Sequence, residues 1–151
     1  EVMIDPTMVS DFRGEWFEIY NDSGETVDLN GIEVFGIYDA YTVDSPLYLA
    51  EDAYALFTTR SSSTQNGGMS GMDHVYDPSE LRLSNNDSLG LRNASMDIDL
   101  VAWTSDDFTA GSALSLGRLD ASMNDDMAHW CDATTAYGDG DLGINRAQLL
   151  V

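Results

Sequence analysis

Apolar and polar residues alternate with a period of two along much of the chain, the signature of strands rather than helices. Residues 14–21 read GEWFEIYN, and an extended backbone sends Phe17 and Ile19 to one face and Trp16, Glu18 and Tyr20 to the other. Residues 32–41 (IEVFGIYDAY) and 53–59 (AYALFTT) are rich in the aromatic and branched side chains that suit a pleated, half-buried surface. Leu81 and Leu83, then Leu89 and Leu91, keep the same spacing, with the turn residues Asn85, Asn86, Asp87 and Ser88 between them. A second turn at 93–96 leads into residues 98–103 (IDLVAW), and Leu114 with Leu116 marks another short strand. Helical periodicity is poor. Its best candidate, residues 47–55, follows Pro46 and reads equally well as a strand entry. Short strands with turn signals every ~8–12 residues predict an all-β sandwich or barrel. The stretch 61–71 (SSSTQNGGMSG) is expected to be the most flexible loop, and 120–126 a second, acidic and exposed one. No internal repeat is visible, so residues 1–151 read as a single domain.

Composition narrows the partners. With 151 residues and 43% hydrophobic content the chain has enough material for a packed core, so its acidity does not imply disorder. The formal net charge is −21, from 27 acids against six basic residues, all of them Arg. Such a field repels phosphate, and the scattered arginines form no basic stripe, which argues against nucleic acid as a partner. Salt adaptation, cation binding and coding bias would each produce an Asp-rich, Lys-free surface. No apolar run approaches the ~18 residues of a membrane span. The opening EVMIDP has neither the charged nor the apolar region of a signal peptide. Cys131 is the sole cysteine, so no internal disulfide forms.

Four groups of residues invite a chemical reading. Glu15 and Glu18 could act as paired acids, but their spacing on a strand points them to opposite faces, and Glu18 is expected to accept hydrogen bonds that fix the sandwich. Cys131 and His129 share a face of an extended segment, yet a zinc site would lack ligands, since the other histidine, His74, is remote in sequence. Cys131 is expected to be a small buried hydrophobe, with His129 facing solvent or hydrogen-bonded. Asp139-Gly140-Asp141, near Asp132 and the acids of 124–126, suggests calcium, and Asp139 and Asp141 are the candidate ligands. No further ligand follows at EF-hand spacing, and the alternative is a turn using the backbone freedom of Gly138, Gly140 and Gly143. The triplets beginning at Asn21, Asn86 and Asn93 match the glycosylation sequon and also sit at turns. Serine-hydrolase elbows, P-loops and dinucleotide fingerprints are missing from the sequence, and no catalytic residue is assigned.

Taken together, several stretches resemble the lamin-tail domain in the form found in bacterial secreted and surface proteins. GEWFEIYN looks like that family's GEWxELYN strand, and VDLNG at 27–31 its V-D-L-x-G step. IDLVAW at 98–103 is similar to its I-D-x-V-x-W strand, and Arg118 falls where a G-x-S-L-x-R segment places its Arg. Trp130 and YGDGDLG at 137–143 resemble the closing stretch. Ile32 departs from the usual Trp, and the ending 144–151 departs from the usual Gly-Thr-Pro-Gly. In bacterial relatives a cysteine after this Trp often has a downstream partner, which the altered ending lacks. The resemblance implies an immunoglobulin-like two-sheet β-sandwich without catalysis or cofactor. It also implies an extracellular or cell-surface setting, with a protein or cell-envelope glycan as partner. One alternative is a self-associating domain that uses residues 147–151 as an intermolecular strand and forms a homo-oligomer. The other is a calcium-assisted hydrolase.

Overall fold

A computed structural model describes residues 1–117, 120 and 123–143. Arg118 and the segment 144–151, including the expected strand at 147–151, lie outside the described residues. In chain order the first strands are β1 (Val2–Met3), β2 (Trp16–Tyr20), β3 (Val27–Asp28), β4 (Glu33–Phe35), β5 (Ala40–Thr42) and β6 (Tyr48–Leu49). They are followed by β7 (Tyr54–Thr58), β8 (His74–Val75), β9 (Asp87–Arg92), β10 (Asp97–Trp103), β11 (Leu114–Leu116) and β12 (Trp130–Asp132). Among the described residues helix is limited to one turn, α1 (Asp11–Gly14), and a 3-10 turn at Met127–His129.

The larger sheet has the order β12-β11-β1-β2-β7-β8, antiparallel except where β8 runs parallel to β7. Its centre is the GEWFEIYN segment: α1 ends at Gly14, Glu15 turns to extended backbone, and β2 pairs with β7 so that Phe17 faces Phe57 and Ile19 faces Ala55. The second sheet, β10-β9-β4-β5, is antiparallel throughout, and β3 with β6 forms a small separate ribbon. The alternation in β2 decides the layering. Phe17 and Ile19 turn inward and bury with Ala55 and Phe57 against Val34, Tyr41, Leu89, Val101 and Trp103 of the facing sheet. Phe17 and Phe57 stack at 4.9 Å between ring centroids. Fully burying each such ring contributes roughly 1.5–3 kcal/mol. The all-β expectation therefore holds, as a sandwich of two sheets with an added ribbon.

The other face of the larger sheet is buried too. Met3, Trp16 and Leu56 form a second core with Met69, Ala113, Ala133 and Tyr137, most of them supplied by loops. Trp16 Nε1 donates to the Tyr137 hydroxyl at 2.8 Å. The stretch 61–71, expected to be flexible, serves as part of this lid. Asn66 Nδ2 donates to the Arg60 carbonyl at 2.9 Å, and its Oδ1 accepts from the Met69 N–H at 2.9 Å. Gly68 meets Gly138 backbone to backbone, both at positive φ (86° and 49°), so a side chain at either would collide with the opposing loop.

Several elements differ from expectation. The run 32–41 breaks into the β4–β5 hairpin, closed by the Gly36 N–H donating to the Asp39 carbonyl at 2.9 Å. Leu81 and Leu83 are buried but lie in no strand, and residues 47–55 yield β6 and the start of β7 with no helix. β10 is an outer strand of its sheet among the described residues.

Candidate functional site

Glu15 is the most displaced of the sequence-derived candidates. It is 1% exposed, and its Oε2 accepts from the Leu83 N–H at 3.2 Å. Burial pushes its carboxyl up to about 8; the Leu83 N–H and the charge of Arg82 oppose this, while Asp11 and Asp39 add to it. Glu15 thus holds a backbone group distant in sequence. In the core between the sheets the hydroxyls of Tyr41 and Tyr76 are buried with no protein partner among the described residues, and burial raises both above the ordinary phenol range.

The histidines and the cysteine are dispersed. His74 lies on β8 and Cys131 on β12, at opposite edges of the larger sheet. His74 stacks on Tyr41 at 5.9 Å, and burial lowers its pKa against the raising influence of Asp44. Cys131 is exposed rather than buried, because it sits on an edge strand, and His129 is exposed at the end of the 3-10 turn. His74 is thus not drawn into one site with Cys131.

The acids of the closing stretch serve the backbone. Asp141 is 2% exposed; its Oδ1 accepts from the Thr7 N–H at 3.0 Å and the Thr7 hydroxyl at 2.6 Å, and its Oδ2 from the Met8 N–H at 3.2 Å. Asp139 is exposed on the turn, and its N–H donates to the Gly67 carbonyl at 2.9 Å. Asp132 accepts from the Thr109 N–H, and Asp126 caps the 3-10 turn. Among the described residues no group of three or more His, Cys, Asp or Glu side chains is arranged to hold a metal ion. Gly138 and Gly140 take positive φ as the turn reading expects, whereas Gly143 packs under Trp16 and Tyr137. Among the sequon residues, Asn21 is buried with its Nδ2 on the carbonyls of Glu25, Leu49 and Ala50. The other two sit at turns: Asn86 Oδ1 accepts from the Ser105 N–H, and Asn93 Oδ1 from the Ser95 and Met96 N–H groups.

What converges instead is a surface around β10. Val101 and Trp103 point into the core, so Ile98, Leu100 and Ala102 point outward, and Ile98 and Leu100 are 51% and 43% exposed. Beside them opens a hollow of 890 Å³ whose wall runs from Tyr20–Ser23 through Val27, Leu29 and Ile32 to β10. Five carboxylates line it, those of Asp22, Asp28, Asp97, Asp99 and Asp125, and no basic side chain does among the described residues. An adjoining cleft of 160 Å³ enters between β2 and β10 toward Val101 and Trp130. The Asp99 carboxylate accepts from Asn124 Nδ2 at 2.7 Å and from the Leu100 N–H at 2.9 Å, tying β10 to the acidic segment that follows β11. The signal was present in IDLVAW: a strand with one solvated face should show polar residues there, and Ile98, Leu100 and Ala102 show none.

No family model matches the sequence, and no curated protein is significantly similar to it. The surface around β10 must be interpreted from its own chemistry. Apolar side chains interspersed with carboxylates along one concavity suit binding of a complementary surface. Among the described residues no helix is long and apolar enough to cross a membrane.

Proposed function

We propose that the chain is a non-catalytic interaction module of the lamin-tail, immunoglobulin-like kind, working outside the cell or at its surface and binding a protein or cell-envelope glycan. The observation that carries this reading is the β10 surface, where exposed Ile98 and Leu100 border a hollow lined by carboxylates. Isolated apolar residues on a surface need no explanation, but a strand whose outward positions are apolar, next to a concavity of 890 Å³, has the character of a contact face. The motif resemblance supports the extracellular setting and the lack of catalysis. Titration calorimetry of the full chain against envelope proteins and glycans tests the proposal. Saturable binding that weakens in a Leu100→Asp variant is expected, and silence toward every partner would count against the module reading. Self-association is a weaker reading, because two copies each carrying −21 repel one another.

A further inference from the structure

We infer that the partner of the β10 surface is a polypeptide segment in which basic residues alternate with bulky apolar ones, held by its side chains and not by a continuous strand ladder. The inference rests on the interaction-module reading and names the partner for that same surface.

The hollow supplies apolar anchors. Leu29, itself buried, lines the hollow, while Ile98 and Leu100 stand exposed along its β10 wall. Covering those two side chains removes apolar area from water that the chain itself leaves wet. The same lining supplies charge. Asp22, Asp97 and Asp125 are exposed and have no hydrogen bond or ion pair among the described residues, whereas Asp28 and Asp99 are engaged by backbone and amide groups. A ligand with cations at intervals along an apolar stem meets both features at once, and arginine does so best because its planar fork pairs with carboxylates.

The same charge selects against other occupants. A second copy brings −21 to meet −21, and nucleic acid or an anionic lipid surface is repelled in the same way. Strand addition is disfavoured locally. The Leu100 N–H is already taken by the Asp99 carboxylate, and Asn124 binds that carboxylate at 2.7 Å, so part of the outer edge is occupied.

The test uses the full chain and a fluorescently labelled octapeptide of alternating Arg and Leu, read by anisotropy. Saturable one-to-one binding is expected, at least about tenfold tighter than that of an Arg–Ser octapeptide of equal charge, with none for Glu–Leu. A double variant, Asp97→Asn with Ile98→Ser, should weaken binding about tenfold. The variant Glu51→Gln with Glu80→Gln removes charge from exposed positions outside the hollow and should leave binding within about twofold. N-methylation of alternate peptide backbone nitrogens should also leave it nearly unchanged. Equal binding of Arg–Leu and Arg–Ser, or equal weakening in both double variants, would overturn the inference in favour of diffuse attraction. Loss of binding on N-methylation would overturn the side-chain mode. If the peptide fails while an envelope protein or glycan still binds saturably, this inference falls and the module reading stands.

Discussion

Glu15 leaves the single turn of α1 with its carboxyl directed into the protein, where the Leu83 N–H meets it. An ordinary glutamate releases its proton near 4.5, and burial delays this one to about 8. Between those values the unfolded chain has already lost a proton that the folded protein keeps. Stability is therefore fully retained below the lower value, falls by at most about 1.4 kcal/mol per pH unit through the window, and levels off above it. Glu15→Gln keeps an oxygen for Leu83 but cannot ionise. In thermal unfolding its Tm should gain on the wild type as pH rises from about 5 to about 8.5, and a gap independent of pH would contradict the assignment. Asp141 makes the complementary case, a buried carboxylate spent on three hydrogen bonds to Thr7 and Met8. Asp141→Ala should cost about 1–3 kcal/mol in urea unfolding, because it removes the three hydrogen bonds that tie the closing stretch to Thr7 and Met8. With that carboxylate engaged, millimolar calcium should leave the wild-type Tm where it is; a calcium-dependent rise lost in the variant would support the calcium reading of Asp139 and Asp141.

At the scale of elements, β10 separates residues that hold the fold from residues left exposed to solvent. Val101→Ala opens a gap between the sheets and should cost about 1–3 kcal/mol, while Leu100→Ser on the adjacent outward position should change stability by no more than about 0.5 kcal/mol. Chemical denaturation of the two variants checks this, and equal losses would place Leu100 in the core. The strands β2, β7, β9 and β10 were legible because alternation and branched side chains report directly on a half-buried pleat. Leu81 and Leu83 show the limit of that signal: period two recorded their burial, but Glu15, and not a neighbouring strand, takes the Leu83 N–H. The second core was illegible for a different reason. Trp16 is covered by Met69 and Tyr137 from loops, and loops carry no periodicity to read. Asp139 and Asp141 show why composition alone leaves such a turn open: an acidic, glycine-rich turn reads the same whether it grips an ion or, as Asp141 does, a neighbouring backbone. Cys131 misled because a cysteine's usual burial says nothing about whether its strand lies at an edge.

For the molecule as a whole, a charge of −21 over 151 residues opposes the close approach of two copies and attracts cations. Added salt should weaken binding of the proposed peptide without abolishing it, since the apolar contacts with Ile98 and Leu100 are not screened. The most direct measurement is a titration of the nitrogen-15-labelled full chain with the Arg–Leu octapeptide, followed by amide chemical shifts. The account predicts saturable shifts clustered in residues 20–32 and 97–102, with β8 and the 61–71 loop unmoved. Shifts concentrated on β8 or that loop, or none at all while the peptide binds, would contradict it.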